Sequence, residues 1–447
     1  MEVPVDLNIL NAKILTGGKL KEGCISIDEG KVVKLGKEPS RPKSSQRIDV
    51  KGLVVLPGLI DGHVHLRDMQ LAYKEDFYTG TCAAAAGGFT TVLDMPNTEP
   101  ITDSAQRLKE KIQSARSKTI INLGFYAAFP STFKEFKALT ELGAVGFKAH
   151  LQLPWSKLNL EDDITLEKAL AEAARLGRIV AVHAEDRGMV ETAAATLRNS
   201  SKNTFSDYAK AHSEECEVKA VGRVLRHLGE HQRVHFCHVS SPATVNLLAE
   251  ARGRYPYITC EATPHHLFLD AEEASRLGGL ALTDPPARRK EQRLKLWEML
   301  RSGLIDIVAS DHAPHSRIEK ERDNIWETPP GCPGLETTLP LLLTRVTKGE
   351  LSLLDVVKLL SQRPAEIFRL ASKGDIQPGK DADLVVVNMK QTYRVNPTTF
   401  HSKAKYSPFK GIKVVGRVEK TFVGGTPIFD GGEITATPGS GHILQFR

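Results

Sequence analysis

The chain has 447 residues, 41% of them apolar and 26% charged, enough material for one large buried core and a smaller second one. Its 60 basic and 54 acidic residues leave a formal charge of +6. That charge is dispersed: the densest basic cluster, Arg288-Arg289-Lys290, runs straight into Glu291, which argues for a solvated surface and against a nucleic-acid-binding face.

The mild positive excess suits an anionic small substrate. No run approaches the roughly 18 uninterrupted apolar residues of a membrane span, and Met1-Glu2-Val3-Pro4-Val5-Asp6 carries no charged-then-apolar leader pattern. Cys24, Cys82, Cys216, Cys237, Cys260 and Cys332 show neither C-x-x-C nor zinc-finger spacing. They read as buried thiols in a reducing compartment, and a cytoplasmic protein with no membrane partner is expected.

Residues 1 to about 55 alternate short apolar runs with turn residues, as in Leu7-Asn8-Ile9-Leu10, Cys24 to Asp28 and Lys31 to Gly36. The C-terminal end repeats the pattern at Ala382 to Val387, Val414 to Val418 and Thr421 to Gly425. These spacings predict short antiparallel strands. Neither end holds enough strand to bury a core alone, so a small β-sandwich built from both termini (1–55 plus 375–447) is expected. The middle, 56–374, has a different rhythm: apolar β-rich runs alternate with helical stretches such as Leu166 to Leu176 and Val218 to Leu228. Eight runs are visible: Leu59-Ile60 leading to His65, Thr90 to Met95, Ile121 to Phe129, Ala144 to His150, Ile179 to Glu185, Val234 to Val239, Tyr257 to Thr263 and Ile305 to Ser310. Eight buried parallel strands with eight crossovers predict an α/β fold, a (β/α)8 barrel.

Barrel enzymes carry their chemistry at the C-terminal ends of the strands. Here the first run ends in His63-Val64-His65, the fourth carries Lys148, the fifth ends near His183, the sixth near His238 and the eighth at Asp311. Taken singly, each has an ordinary explanation: a core histidine, a solvated lysine, a helix-capping aspartate. Two histidines two apart on a strand face the same side. Four histidines, a lysine and an aspartate at the strand ends of one barrel predict a metal site. Nitrogen and carboxylate donors suit Zn²⁺, with Mn²⁺, Co²⁺ and Fe²⁺ as alternatives, and the lack of a thiolate argues against a closed structural zinc.

At these residues the chain resembles the amidohydrolase superfamily, and within it the cyclic-amide hydrolases. The resemblance covers nearly the whole chain. It rests on Pro57-Gly58-Leu59-Ile60-Asp61-Gly62-His63-Val64-His65, Ala83 to Thr91, Gly146-Phe147-Lys148, Ser310-Asp311-His312-Ala313-Pro314-His315 and the tail motif Gly379 to Val385. It implies that His63 and His65 bind one metal and His183 and His238 a second. Asp311 would complete the first shell and act as the catalytic acid–base, and Lys148, carboxylated, would bridge two zinc ions. A carbamate anion is favoured beside two cations where an ammonium is not.

Further residues resemble the dihydroorotases among these hydrolases. Arg67 and Asn97 match positions that grip the carboxylate of dihydroorotate, and His315 resembles a third contact. Thr263-Pro264-His265-His266-Leu267 and Pro333-Gly334-Leu335-Glu336-Thr337 point the same way. The competing explanation for Arg67 is a structural salt bridge with Asp68 or Glu75. The implied function is reversible hydrolysis of dihydroorotate to N-carbamoyl-aspartate in pyrimidine synthesis. Allantoinase, dihydropyrimidinase and a non-catalytic amidohydrolase-like scaffold are the alternatives. The chain departs from the dihydroorotase pattern at Met69-Gln70, where Pro-Gly is common, and at Asp284, where Asn is common. Leu151 to Asn159, with Pro154-Trp155, reads equally as a lid or a surface turn. A homo-oligomer, or association with other pyrimidine-pathway enzymes, stays open at this stage.

Overall fold

The computed structural model describes residues 4–37 and 40–446; Met1 to Val3, read above for a leader pattern, lie outside it. Eight parallel strands follow one another in sequence order around a barrel. They are Leu59–Val64, Phe89–Asp94, Asn122–Ala128, Gly146–His150, Ile179–His183, Val234–Phe236, Ile258–Ala262 and Ile307–Val308. All eight apolar runs therefore form strands. Nearly every strand residue is buried on both faces, the pattern helices on the outside and side chains on the inside impose. The helix expected over Val218 to Leu228 spans Glu214–Arg226. It starts earlier because Ser213 and the acidic first turn, Glu214, Glu215 and Glu217, favour a helix N-terminus.

The first and eighth strands do not form a full ladder. They are joined by the bridge between Val64 and His312, by His65 N–H donating to His312 O at 2.8 Å, and by Asp61. This fully buried carboxylate accepts from Ser310 N at 3.0 Å and His63 N at 3.1 Å. Burial lifts its pKa to about 7. The second strand's end is pinned by Asp94, which accepts from Leu66 N at 2.7 Å and pairs with buried Lys111 at 2.7 Å. These contacts fix the two loops that carry Arg67 and Asn97.

The strands of both termini join one nine-stranded mixed sheet. Val54–Pro57 is its seam, parallel to Val5–Thr16 on one side and antiparallel to Leu384–Arg394 on the other. The sheet has its own apolar cluster, including Ile9, Ile25, Val32, Leu384, Val386 and Phe422. The runs Val414 to Val418 and Thr421 to Gly425 are parts of one strand, Lys413–Val423, with the turn at Gly424-Gly425 leading into Thr426–Asp430. Two stretches of 375–447 leave this sheet. Ser402, Lys403 and Tyr406 reach the barrel mouth, where they bond Glu75 and His315. His442–Ile443 pairs in parallel with the third barrel strand.

Candidate active site

All nine residues singled out from the sequence line one cavity of about 190 Å³ at the C-terminal mouth of the barrel: His63, His65, Arg67, Asn97, Lys148, His183, His238, Asp311 and His315. His150, Leu153, Trp155 and Asp284 complete much of its wall. Several candidate donor atoms converge in it. His63 Nε2 and His65 Nε2 face Asp311 Oδ1 at 3.4 and 3.1 Å. His183 Nδ1 faces His238 Nε2 at 3.0 Å.

Three of the four rings are oriented through their other nitrogen. His63 Nδ1 bonds Glu261, which also takes His235 Nε2 at 2.9 Å. His65 Nδ1 donates to Asn97 Oδ1 at 2.6 Å. His183 Nε2 donates to Glu185 Oε2 at 2.8 Å, whose other oxygen meets His212 Nδ1 at 2.9 Å. An outer partner of this kind fixes an imidazole's orientation, as it does for histidines that hold metals. Burial takes His65 down to about 4 and His238 well below the ordinary imidazole range, so both are neutral donors. His63 is opposed by burial and Lys148, but Glu261, Cys237 and Asp311 outweigh them and raise it to about 10. Asp311 is driven well below the usual carboxylate range because His63 and His65 outweigh its burial.

Two features fit a pair of metal ions. His183 Nδ1 and His238 Nε2 converge without an anion between them, and His238 Nδ1 is buried with no hydrogen-bond partner among the described residues. Lys148 is 1% exposed, and its one hydrogen bond among the described residues is to Cys237 Sγ at 3.0 Å. Lys148 forms no ion pair among the described residues and lines the same cavity as the four histidines.

The backbone is strained where this chemistry sits. His238 has φ 37° and Asp311 φ 46°. Arg67, Asp68 and Met69 form a run at φ 58°, 53° and 52°. Left-handed conformations cost non-glycine residues about 1–2 kcal/mol each. Asp68 offsets the run's cost: its carboxylate accepts from Met69 N, Phe77 N, Ser114 Oγ and Lys118 Nζ. Asp68 thus pairs with Lys118, and Glu75 with Thr79 and Ser402. Arg67 joins neither acid. Its Nε donates to Pro314 O at 3.1 Å and its NH2 lies 3.1 Å from His315 Nε2.

Asn97 spends its carbonyl on His65 and lines the cavity. Trp155 packs against His150 with ring centroids 4.3 Å apart and planes tilted by 51°, and stands 6.2 Å from His65, so Leu153 and Trp155 of the 151–159 turn form part of the cavity wall. Asp284, the unusual acid of the seventh loop, accepts from Tyr208 Oη at 2.5 Å and lies 3.6 Å from His212 Nδ1.

Sequence reasoning missed Glu261, Glu185, His212, His235, Cys237 and Tyr208. A signal existed for Glu261: it is a lone acid inside an apolar strand, Ile258–Ala262, and it is fully buried. His212 and Tyr208 lie on and after the helix Phe205–Ala211, where nothing in the local pattern marks them.

An eight-stranded barrel with candidate metal donors at its mouth fits a hydrolase of amide-type bonds, and the chain belongs to the amidohydrolase family, whose model matches residues 54–428. Among its relatives, a dihydroorotase of Methanothermobacter thermautotrophicus is 40% identical over 92% of this chain and 91% of that protein. A dihydroorotase of Methanosarcina acetivorans is 36% identical over 98% and 95%. Among solved structures, the L-hydantoinase (dihydropyrimidinase) from Arthrobacter aurescens superposes with a TM-score of 0.93 at 32% identity, covering 99% of this chain and 100% of that one. No helix among the described residues is long and apolar enough to cross a membrane.

Proposed function

We propose that the protein is a dihydroorotase, opening L-dihydroorotate to N-carbamoyl-L-aspartate and, in the biosynthetic direction, closing it on the route to pyrimidines in the cytoplasm. The observation that carries this is the convergence of Arg67, Asn97 and His315 on the cavity that also holds the four imidazoles, Lys148 and Asp311. Dihydroorotate brings a carboxylate to the Arg67 guanidinium in that wall. Allantoin, dihydrouracil and hydantoin do not, and would leave a buried guanidinium without its anion. The dihydroorotase relatives agree with this reading.

His63, His65 and Asp311 would hold one zinc ion and His183 and His238 the other, with Lys148 between them as its carbamate. Such ions supply Lewis acidity and a water acidified from a pKa of about 15.7 toward about 7. The protein's own groups do the rest. Arg67, Asn97 Nδ2 and His315 grip the carboxylate and set the ring amide over the histidines. Asp311 Oδ1 faces both Nε2 atoms, which leaves Oδ2 to take the proton of the attacking water and pass it to the ring nitrogen. The ring C–N bond breaks, the carbonyl carbon keeps the hydroxyl oxygen as the new carboxyl group, and the nitrogen, which already carries one hydrogen, leaves as the N–H₂ of the carbamoyl group. Ring closure runs the same steps in reverse. Trp155 and Leu153 exclude bulk water from the mouth.

The test is turnover of L-dihydroorotate, allantoin, dihydrouracil and hydantoin side by side, with protein purified in divalent metal and bicarbonate, together with the metal content. Strong preference for dihydroorotate, abolished in a folded Asp311→Asn variant, is expected. Preference for a neutral ring would overturn the reading of Arg67 and Asn97. Bound metal with no turnover of any ring would point to a scaffold role, and full activity of Asp311→Asn would remove the assignment of the acid–base.

A further inference from the structure

At the opposite end of the barrel a second cavity, of about 700 Å³, is bounded by Arg178, Arg233, Arg369, Lys373, Phe368 and Phe446. Its charge is lopsided. None of the three arginines makes an ion pair with a described residue. The cavity's acid, Asp381, is already taken by Lys31 at 2.9 Å, Lys373 at 3.1 Å and the Ser372 hydroxyl. Lys373 is itself committed to Asp381 and Asp383.

The arginines also have donors to spare. Arg178 is 8% exposed, gives NH2 to Thr140 O at 3.3 Å and to Phe446 O, and keeps a buried Nε with no partner among the described residues. Arg233 gives NH2 to Ile367 O. Burial and the neighbouring Arg369 charge lower both, Arg233 to about 10. Cations that repel one another in a half-buried hollow, each with unused N–H groups, are complementary to a multivalent oxyanion. One carboxylate would neutralise a single guanidinium, whereas a phosphoryl group offers three oxygens and up to two charges.

We propose that this cavity binds a phosphate group, either as free phosphate or as part of a small phosphorylated metabolite. Arg178 and Arg233 immediately precede the fifth and sixth strands, whose far ends carry His183 and His238. A ligand here would therefore grip the same two strands that present those histidines, from the other side of the barrel.

Isothermal titration of the full-length protein with inorganic phosphate, and with uridine and adenosine 5′-monophosphates, at matched ionic strength, tests the site. One saturable event is expected, weakened about tenfold or more in Arg233→Gln/Arg369→Gln, with turnover unchanged without phosphate. Should the double variant fail to fold, Arg369→Gln alone, at an exposed position, reads the same loss. Equal affinity for all three probes identifies free phosphate as the ligand, and tighter nucleotide binding identifies a nucleotide. Absence of saturable binding to millimolar concentration overturns the proposal. So does binding that Arg233→Gln/Arg369→Gln leaves intact, since that anion would sit elsewhere, as at Arg67.

Discussion

The Tyr208 hydroxyl donates to Asp284 Oδ1 at 2.5 Å, tying the helix Phe205–Ala211 to an acid in the wall of the active-site cavity. Burial and Glu185 push the Asp284 carboxyl up, while His212, Tyr208 and His183 pull it down, and the net direction is upward. A carboxyl so placed is uncharged below its raised pKa and repels an anionic substrate above it. The KM for dihydroorotate should therefore climb as pH rises through that pKa. In Asp284→Asn the climb should vanish, with kcat kept within a few fold. Tyr208→Phe removes a contact that favours the charged form, so it should move the climb to higher pH. Steady-state profiles of the three proteins decide this; identical profiles would remove Asp284 from substrate recognition.

Arg67 forms no ion pair among the described residues, and the proposed function gives it the substrate carboxylate. Replacing it by Gln should cost the charge-assisted bonds, about 1.5–3 kcal/mol, or roughly 10- to 150-fold in kcat/KM. Metal content should stay at the wild-type level. A loss confined to kcat, with KM unchanged, would contradict a binding role.

Glu261 serves two buried imidazoles at once, His63 and His235. A Gln there accepts through one oxygen only and cannot orient both. Glu261→Gln should weaken metal affinity about 10- to 100-fold, read by competition with a chromophoric chelator. Unchanged affinity would mean that packing alone orients His63.

Glu319 joins the loop after the eighth strand to the loop after the first. It accepts from Lys74 Nζ at 2.8 Å and from Ser316. Its burial opposes ionisation, but these partners prevail and bring it down from 4.5 to about 2. A carboxyl depressed in the folded state adds stability above its unfolded pKa, and that stability is lost as pH falls through the folded one. The melting temperature of wild type should exceed that of Glu319→Gln by a constant margin above about pH 5, and the margin should close toward pH 2. A margin independent of pH would show that the ion pair contributes nothing.

The barrel was legible because parallel strands buried on both faces must be written as unbroken apolar runs, and Ile179–His183 or Phe89–Asp94 leave little room for another reading. The positions of the inner histidines, Lys148 and Asp311 followed from where those runs stop. Their outer partners were less legible: Glu261 shows as a lone acid in an apolar strand but nothing local ties it to His63, 198 positions away, and nothing local ties His212 to Glu185, 27 positions away. The same holds for the final strand. His442–Ile443 looks like a piece of the terminal sheet, yet its hydrogen bonds go to the third barrel strand.

The seam of the terminal sheet also sets an order of events. Val54–Pro57 lies between a strand that precedes the barrel and one that follows it. While the chain is being synthesised, one edge of Val54–Pro57 has no neighbour until Leu384–Arg394 leaves the ribosome, after every barrel strand has been made. An unpaired, apolar edge of this kind recruits other chains. The nascent protein is thus most vulnerable to aggregation during the interval in which its catalytic barrel is being laid down, and slowing elongation between Pro57 and Leu384 lengthens that exposure.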